Sequence, residues 1–417
     1  MYCFQALFTV SLLITTALAA PAQHLRKRSF KIPRVQQHNY VPDGTFALRK
    51  AYRKFGLGAL DTYPGVHFTP KVAAANGGNE TEDGEVSASP TQNDAEFLSP
   101  VSVGGQMLVL NFDSGSSDMW VFNTGLPARS RRGHTLYDPS KSSASAPLEG
   151  STFNISYGDG SFSRGPVVTD TVDVGGATVE KQAIGIPNTV SRSFTEDVHS
   201  NGLVGLGFSK INTIRPERQK TFFDNVLPDL SQPLWTASLR AGEAGAYEFG
   251  NIDTSLFQGE LAIVPVDTTR GFWEFNSAQF AVGDSAPQTA STGSGTAIAD
   301  TGTSLMLMDD EIVEAYYAQV DGARLSPEVG GFTFPCASPL PDLQVAVGDN
   351  YMAIVSGQLM NFAQAGTDTE SGETVCFGGV QSNRQAPLQI FGDVFFKSQF
   401  VVFNGAEPPS LGLAPHA

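Results

Sequence analysis

The chain is 417 residues long, 41% apolar and 16% charged, and its 42 acidic against 26 basic side chains leave a formal charge of −16. This composition excludes a disordered polypeptide, and the acidic excess excludes a general nucleic-acid binder, whose phosphate contacts need clustered Lys and Arg. With 43 Gly, 29 Phe and 25 Pro the chain suits a turn-rich core rather than a helical bundle.

The N-terminus opens on an uncharged apolar run that closes with Ala17-Leu18-Ala19, so residues 1–19 read as a secretory signal too short to span a membrane. Residues 20–71 read as a basic prosegment. Between positions 21 and 71 ten Lys and Arg face only Asp43 and Asp61, a net +8 that leaves −24 on the remainder, so attraction would hold this arm on an acidic body. Residues 72–95, with Asn76-Gly77-Gly78-Asn79, read as an exposed processing region in which the mature chain is expected to begin. No later apolar run reaches membrane-spanning length and residues 411–417 carry no hydrophobic tail, so the expected product is soluble, extracellular and free of membrane.

From residue 96 onward short alternating or apolar runs, among them 101–103, 107–112, 119–122, 152–157 and 167–174, are broken by Gly, Asn, Asp and Ser. That is the pattern of an antiparallel β protein. Few helices are expected, chiefly at 220–226 and 309–319, the latter opening on Asp309-Asp310-Glu311 at its positive end. Cys3 leaves with the signal, and Cys336 and Cys376 remain. In an oxidising compartment, with no His beside them, they read as a disulfide rather than a zinc site.

An internal echo organises this body. Val109-Leu110-Asn111-Phe112-Asp113-Ser114-Gly115-Ser116-Ser117 recurs as Thr296-Ala297-Ile298-Ala299-Asp300-Thr301-Gly302-Thr303-Ser304, and each copy is followed by an apolar-apolar-Gly segment, Leu203-Val204-Gly205 and Ile390-Phe391-Gly392. Two similar lobes follow, 96–240 and 241–417, related by an approximate two-fold axis. Each Asp ends an apolar strand and precedes a Gly that lets backbone amides approach, which restricts its solvation. Two such carboxyls facing one another cannot both ionise cheaply. They would share one proton and a water and titrate as a pair.

On these residues the chain resembles the pepsin-like aspartic peptidases, most closely the secreted fungal ones, over nearly its whole length. The resemblance implies a mainly β, bilobal acid-protease fold with Asp113 and Asp300 as the catalytic dyad in the cleft between lobes. It implies that Ser114 and Thr301 cross-link the two loops, that Ser116 and Thr303 bond the outer carboxylate oxygens, and that Gly115 and Gly302 complete the motifs. Ser114 replaces the commoner Thr, keeping the hydroxyl and losing a methyl. The alternating strand into Tyr157-Gly158-Asp159 resembles the family's flap, with Tyr157 bonded to the indole of Trp120 and Asp159 placed to bond the substrate backbone and to admit Lys just before the cut. Lys50 and Lys54 are the candidates from the prosegment for covering the dyad.

The expected protein is a monomeric zymogen, activated in acid, that cleaves protein and peptide substrates beside large hydrophobic residues and is held inactive by its own prosegment. No cofactor or metal is expected: His134, His199 and His416 are scattered, and no nucleotide or serine-hydrolase motif occurs. Asn79 and Asn154 match the glycosylation pattern. The rival reading is a pepsin-fold protein that binds a peptide or glycan without catalysis.

Overall fold

The computed structural model describes residues 29–33, 42–60, 62, 68–70, 97–156, 162–242 and 245–417. The signal segment, Asn79 and the expected flap tip Tyr157, Gly158 and Asp159 lie outside them. The described chain is mostly strand, as the alternating runs require.

The first half is an eight-stranded sheet in which Gly202–Gly205 lies between Gln106–Asp113, to which it is parallel, and Met119–Val121, to which it is antiparallel. In the second half Gln389–Phe391 lies in the same way between Thr296–Ala299 and Met306–Met308. Thus each apolar-apolar-Gly segment is the strand inserted beside its own Asp strand, and the glycines are what allow it so close. A Cβ at Gly205 would meet the Asp118 nitrogen at 2.6 Å, and one at Gly392 the Thr303 carbonyl oxygen at 2.2 Å. The repeat read from sequence is therefore a repeat of pairing geometry, the pseudo-symmetric bilobal arrangement.

A six-stranded sheet, in the order Phe30–Pro33, Ala246–Phe249, Leu234–Ser238, Gln399–Asn404, Ser410–Pro415 and Ala262–Pro265, draws on both halves and on the basic N-terminal arm. Position 241 falls in the turn between two of its strands. Trp235 and Phe403 stack in its core at 3.8 Å between ring centroids. Cys336 and Cys376 are bonded, with Cα atoms 4.9 Å apart, and link two neighbouring strands of the second half.

Three local expectations are refined. The helix expected at 220–226 spans Phe222–Val226, with the Thr221 side chain capping the Asp224 N–H. That expected at 309–319 spans Asp310–Tyr317, and Asp309 does not cap it. Its carboxylate turns instead to the Ser294 N–H at 3.0 Å and to Asn383 Nδ2 at 2.7 Å. The basic arm is not held by charge alone. It contributes the strand Phe30–Pro33, the strand Phe68–Pro70 against Gly366–Asp368, and a helix that the charge pattern concealed, Gly44–Phe55. Asp43 caps that helix at the Phe46 N–H, Gly56 ends it at φ 70°, and Ala47, Leu48, Ala51 and Tyr52 bury one face.

Candidate active site

The two Asp loops meet where the halves meet. Asp113 ends the strand Gln106–Asp113 and Asp300 directly follows Thr296–Ala299, and the two are 1% and 0% exposed. The loops hold each other by reciprocal bonds. Ser114 Oγ donates to the Ala299 carbonyl at 2.8 Å and accepts from the Thr301 N–H at 2.9 Å. Thr301 Oγ1 donates to the Phe112 carbonyl at 2.6 Å and accepts from the Ser114 N–H at 3.1 Å. The missing methyl of Ser114 costs none of these bonds.

Each carboxylate receives the same local pair of donors. Asp113 accepts from the Gly115 N–H at 2.9 Å and Ser116 Oγ at 2.6 Å; Asp300 accepts from the Gly302 N–H at 3.1 Å and Thr303 Oγ1 at 2.5 Å. Only glycine fits between them, because a Cβ at Gly115 would sit 2.5 Å from Asp300 Oδ1 and one at Gly302 would sit 2.3 Å from Asp113 Oδ1.

Lys54, from the helix Gly44–Phe55, lies across both. Its Nζ is 2.5 Å from Asp113 Oδ1 and 2.8 Å from each oxygen of Asp300. Of the two Lys singled out in the sequence, Lys54 covers the pair; Lys50 bonds Asp197 at 3.1 Å instead. One helical turn separates them, so a single helix cannot aim both at one point. Burial pushes the Asp113 carboxyl up, but the Lys54 ammonium and the converging hydrogen bonds outweigh it and hold it below its ordinary value. Asp300 goes the other way. Burial raises it, and the neighbouring Asp113 charge adds to the rise, so that Lys54 offsets only part. Burial disfavours the Lys54 ammonium, yet the two carboxylates raise its pKa above the usual value.

Around the pair stand residues that sequence reasoning passed over. Asp118, just beyond the first motif, accepts from the Thr213 N–H and Oγ1, each at 3.0 Å, and from Asn212 Nδ2 at 3.2 Å. Burial pushes its carboxyl up to about 6. Its only sequence signal was an acid placed between the motif and an apolar strand. Asp197 had none, because its neighbours come from distant parts of the chain. Trp120 packs edge-on against Phe194 at 5.2 Å, with its indole N–H buried and without a partner among the described residues. The stem of the expected flap is present as a hairpin pairing Ser156 with Phe162, and Asn154 lies exposed on its first strand.

Among the described residues no group of three or more His, Cys, Asp or Glu could hold a metal ion, and no helix is long and apolar enough to cross a membrane. Two facing loops present paired, buried carboxylates, the arrangement that the resemblance to aspartic peptidases implies. Residues 96–416 match the family model described as eukaryotic aspartyl protease, and the chain belongs to that family. It is 50% identical, over 99% of its own length and 96% of the relative's, to "Aspartic protease PEP3" of Coccidioides posadasii. It is likewise 50% identical to a "Putative aspergillopepsin A-like aspartic endopeptidase" of Aspergillus fumigatus, over 96% of each chain. Penicillopepsin-1 of Penicillium janthinellum is 45% identical over 80% of this chain and 99% of its own.

Proposed function

We propose that this chain is the zymogen of a secreted, monomeric acid endopeptidase, with Asp113 and Asp300 as its dyad. The observation that carries this reading is the matched environment of the two carboxyls: buried, facing, and bonded to the same donors from opposite loops. Such a pair shares a proton. Once Lys54 withdraws, a water takes its place. The ionised carboxylate removes a proton from that water as its oxygen attacks the peptide carbonyl carbon, while the protonated carboxyl donates to the developing oxyanion. Collapse of the tetrahedral species with protonation of the leaving nitrogen breaks the C–N bond, and no acyl-enzyme forms.

Lys54 supports the zymogen reading, because an ammonium seated on both carboxyls leaves no room for that water. In the scheme residues 1–19 are removed on secretion, 20–71 act as an intramolecular inhibitor, and the mature enzyme starts within 72–95. The substrate lies extended under the flap, where Tyr157, bonded to Trp120, and Asp159 close over it. Large hydrophobic residues flank the cut, and Asp159 admits Lys immediately before it. Asn79 and Asn154 are the glycan acceptors.

The test is cleavage of a denatured protein by the acid-treated precursor at about pH 3–4, with and without a statine-type inhibitor that mimics the tetrahedral intermediate. Inhibitor-sensitive cleavage that Asp113→Asn abolishes is the expected result. A folded, prosegment-free chain that cleaves nothing would move the assignment to a silent peptide- or glycan-binding protein. Replacing Asp159 by Ser should lower cleavage after Lys relative to Phe, and an unchanged ratio removes the role given to Asp159.

A further inference from the structure

The cleft contains a carboxylate with no part in the dyad chemistry. Beside Asp113, a pocket is walled by Trp120, Phe122 and Phe194, with ring centroids 5.5 Å apart for Trp120 and Phe122. Asp197, directly after the short helix Arg192–Glu196, lies on its lining and is, among the described residues there, the one acidic side chain apart from Asp113. The prosegment fills this place with a cation: Lys50 Nζ stands 3.1 Å from Asp197 Oδ2, whose side chain is 12% exposed. A carboxylate beside an aromatic wall is poorly served by a purely apolar guest, which would strip its water and return no bond. A guest with a long methylene stem and a cationic end satisfies both surfaces, since the stem covers the rings and the head meets the carboxylate.

We propose that Asp197 is a specificity-determining residue that selects Lys or Arg at one substrate position, the position whose side chain runs along the Trp120–Phe194 wall. The prosegment occupies the same place with Lys50. This inference rests on the endopeptidase reading above and deepens it by naming a substrate class. It concerns a different residue from Asp159, and the two are separable.

The experiment uses the acid-activated full-length protein and a set of peptides in which Lys or norleucine, the same stem without the ammonium, is placed in turn at each of the four positions on either side of the cut, assayed at one fixed, mildly acidic pH. The readout is the ratio of kcat/KM for Lys over norleucine, which does not depend on how much of a variant is folded. At a single position, other than the one Asp159→Ser affects, Asp197→Asn should lower this ratio about tenfold, and Asp197→Glu should keep most of it. Ratios unchanged within twofold at every position in Asp197→Asn would overturn the proposal, as would a loss of rate on both peptides that leaves their ratio intact. A wild-type protein that cleaves no peptide of either series overturns the endopeptidase reading itself, and this inference with it.

Discussion

The loop at Asp113 and the loop at Asp300 share their hydrogen bonds donor for donor, yet they rest on different foundations. Counting 187 residues on from Asp118, which carries its carboxyl into the first half, arrives at Leu305, a fully buried apolar residue followed by Met306, Leu307 and Met308. Symmetry is strict at the paired carboxyls and lapses immediately behind. A dyad requires equal partners, whereas the supporting layer needs only to be full. In the first half it is filled with a group whose ionisation is costly, which ties that half to acid more firmly than its twin.

The harshest way to break the equivalence is to neutralise one carboxyl at a time. Asp113→Asn and Asp300→Asn should each lower kcat on a peptide substrate by roughly 10³-fold or more, with similar losses, because groups acting as a unit fail as a unit. A variant at either position that kept a tenth of the wild-type rate would show that the two halves do not share the work.

Next in size is the removal of the cation that joins them. Lys54 lowers the pKa of both carboxyls, on top of the burial that raises them. Its binding is therefore strongest when they are ionised and weakens as pH falls and they take up protons. Relative to the undocked pair, Lys54 lowers both carboxyls, so each favours the docked state at higher pH and loses that contribution as it takes up a proton, although burial and the Asp113 charge leave Asp300 raised overall. Acid release would thus draw on both carboxyls. Lys54→Met should raise the pH at which the prosegment dissociates by about one unit, corresponding to about 1.4 kcal/mol. Size-exclusion chromatography of a cleavage-blocked precursor across a pH series reads this directly, and an unmoved midpoint would assign the switch to other contacts.

The third test addresses the foundation. Asp118 has its pKa raised by burial to about 6. A group raised on folding contributes its full stability below its unfolded value, near 3.8, and loses it as pH climbs through the folded one. The first half should therefore weaken between about pH 4 and 7, by on the order of 2–3 kcal/mol from this residue. Asp118→Asn, with a side chain that still accepts from Thr213, should narrow the difference between melting at pH 4 and at pH 7.5. Hydrogen exchange should locate the change in strands of the first half, and a loss spread evenly over both halves would deny Asp118 this role.

Legibility in the sequence followed the range of the interaction. The Asp motifs, their glycines and the inserted strands could be read because their chemistry is local and occurs twice. The helix Gly44–Phe55 carried its own signals, Asp43 and Gly56 at its ends and the spacing of Ala47, Leu48, Ala51 and Tyr52, but its many charges drew attention to electrostatics instead. That Lys54 and not Lys50 meets the dyad depends on helix phase and docking, which no local pattern contains. Asp118 and Asp197 depend on the distant residues Thr213 and Lys50, and so emerged only with the fold.

The finest test of equivalence lies in the crossed hydroxyls. Ser114→Ala leaves the Ala299 carbonyl and the Thr301 N–H without their partner, and Thr301→Ala does the same to the Phe112 carbonyl and the Ser114 N–H. Each should cost about 1–3 kcal/mol in urea denaturation, the price of a buried bond left unmade. The costs should not add. The two hydroxyls are 3.4 Å apart, and once one bridge is lost the loops can separate enough for water to serve the other's orphaned groups. The double variant should therefore cost less than the sum by about 1 kcal/mol. Thr301 also loses a methyl on truncation to Ala, a contribution that Ser114 lacks, so Thr301→Ser is the control that isolates packing from bonding. If the cycle still sums to zero coupling after that correction, the bridges act independently, and the reciprocal geometry of the loops is a likeness of form without mutual support.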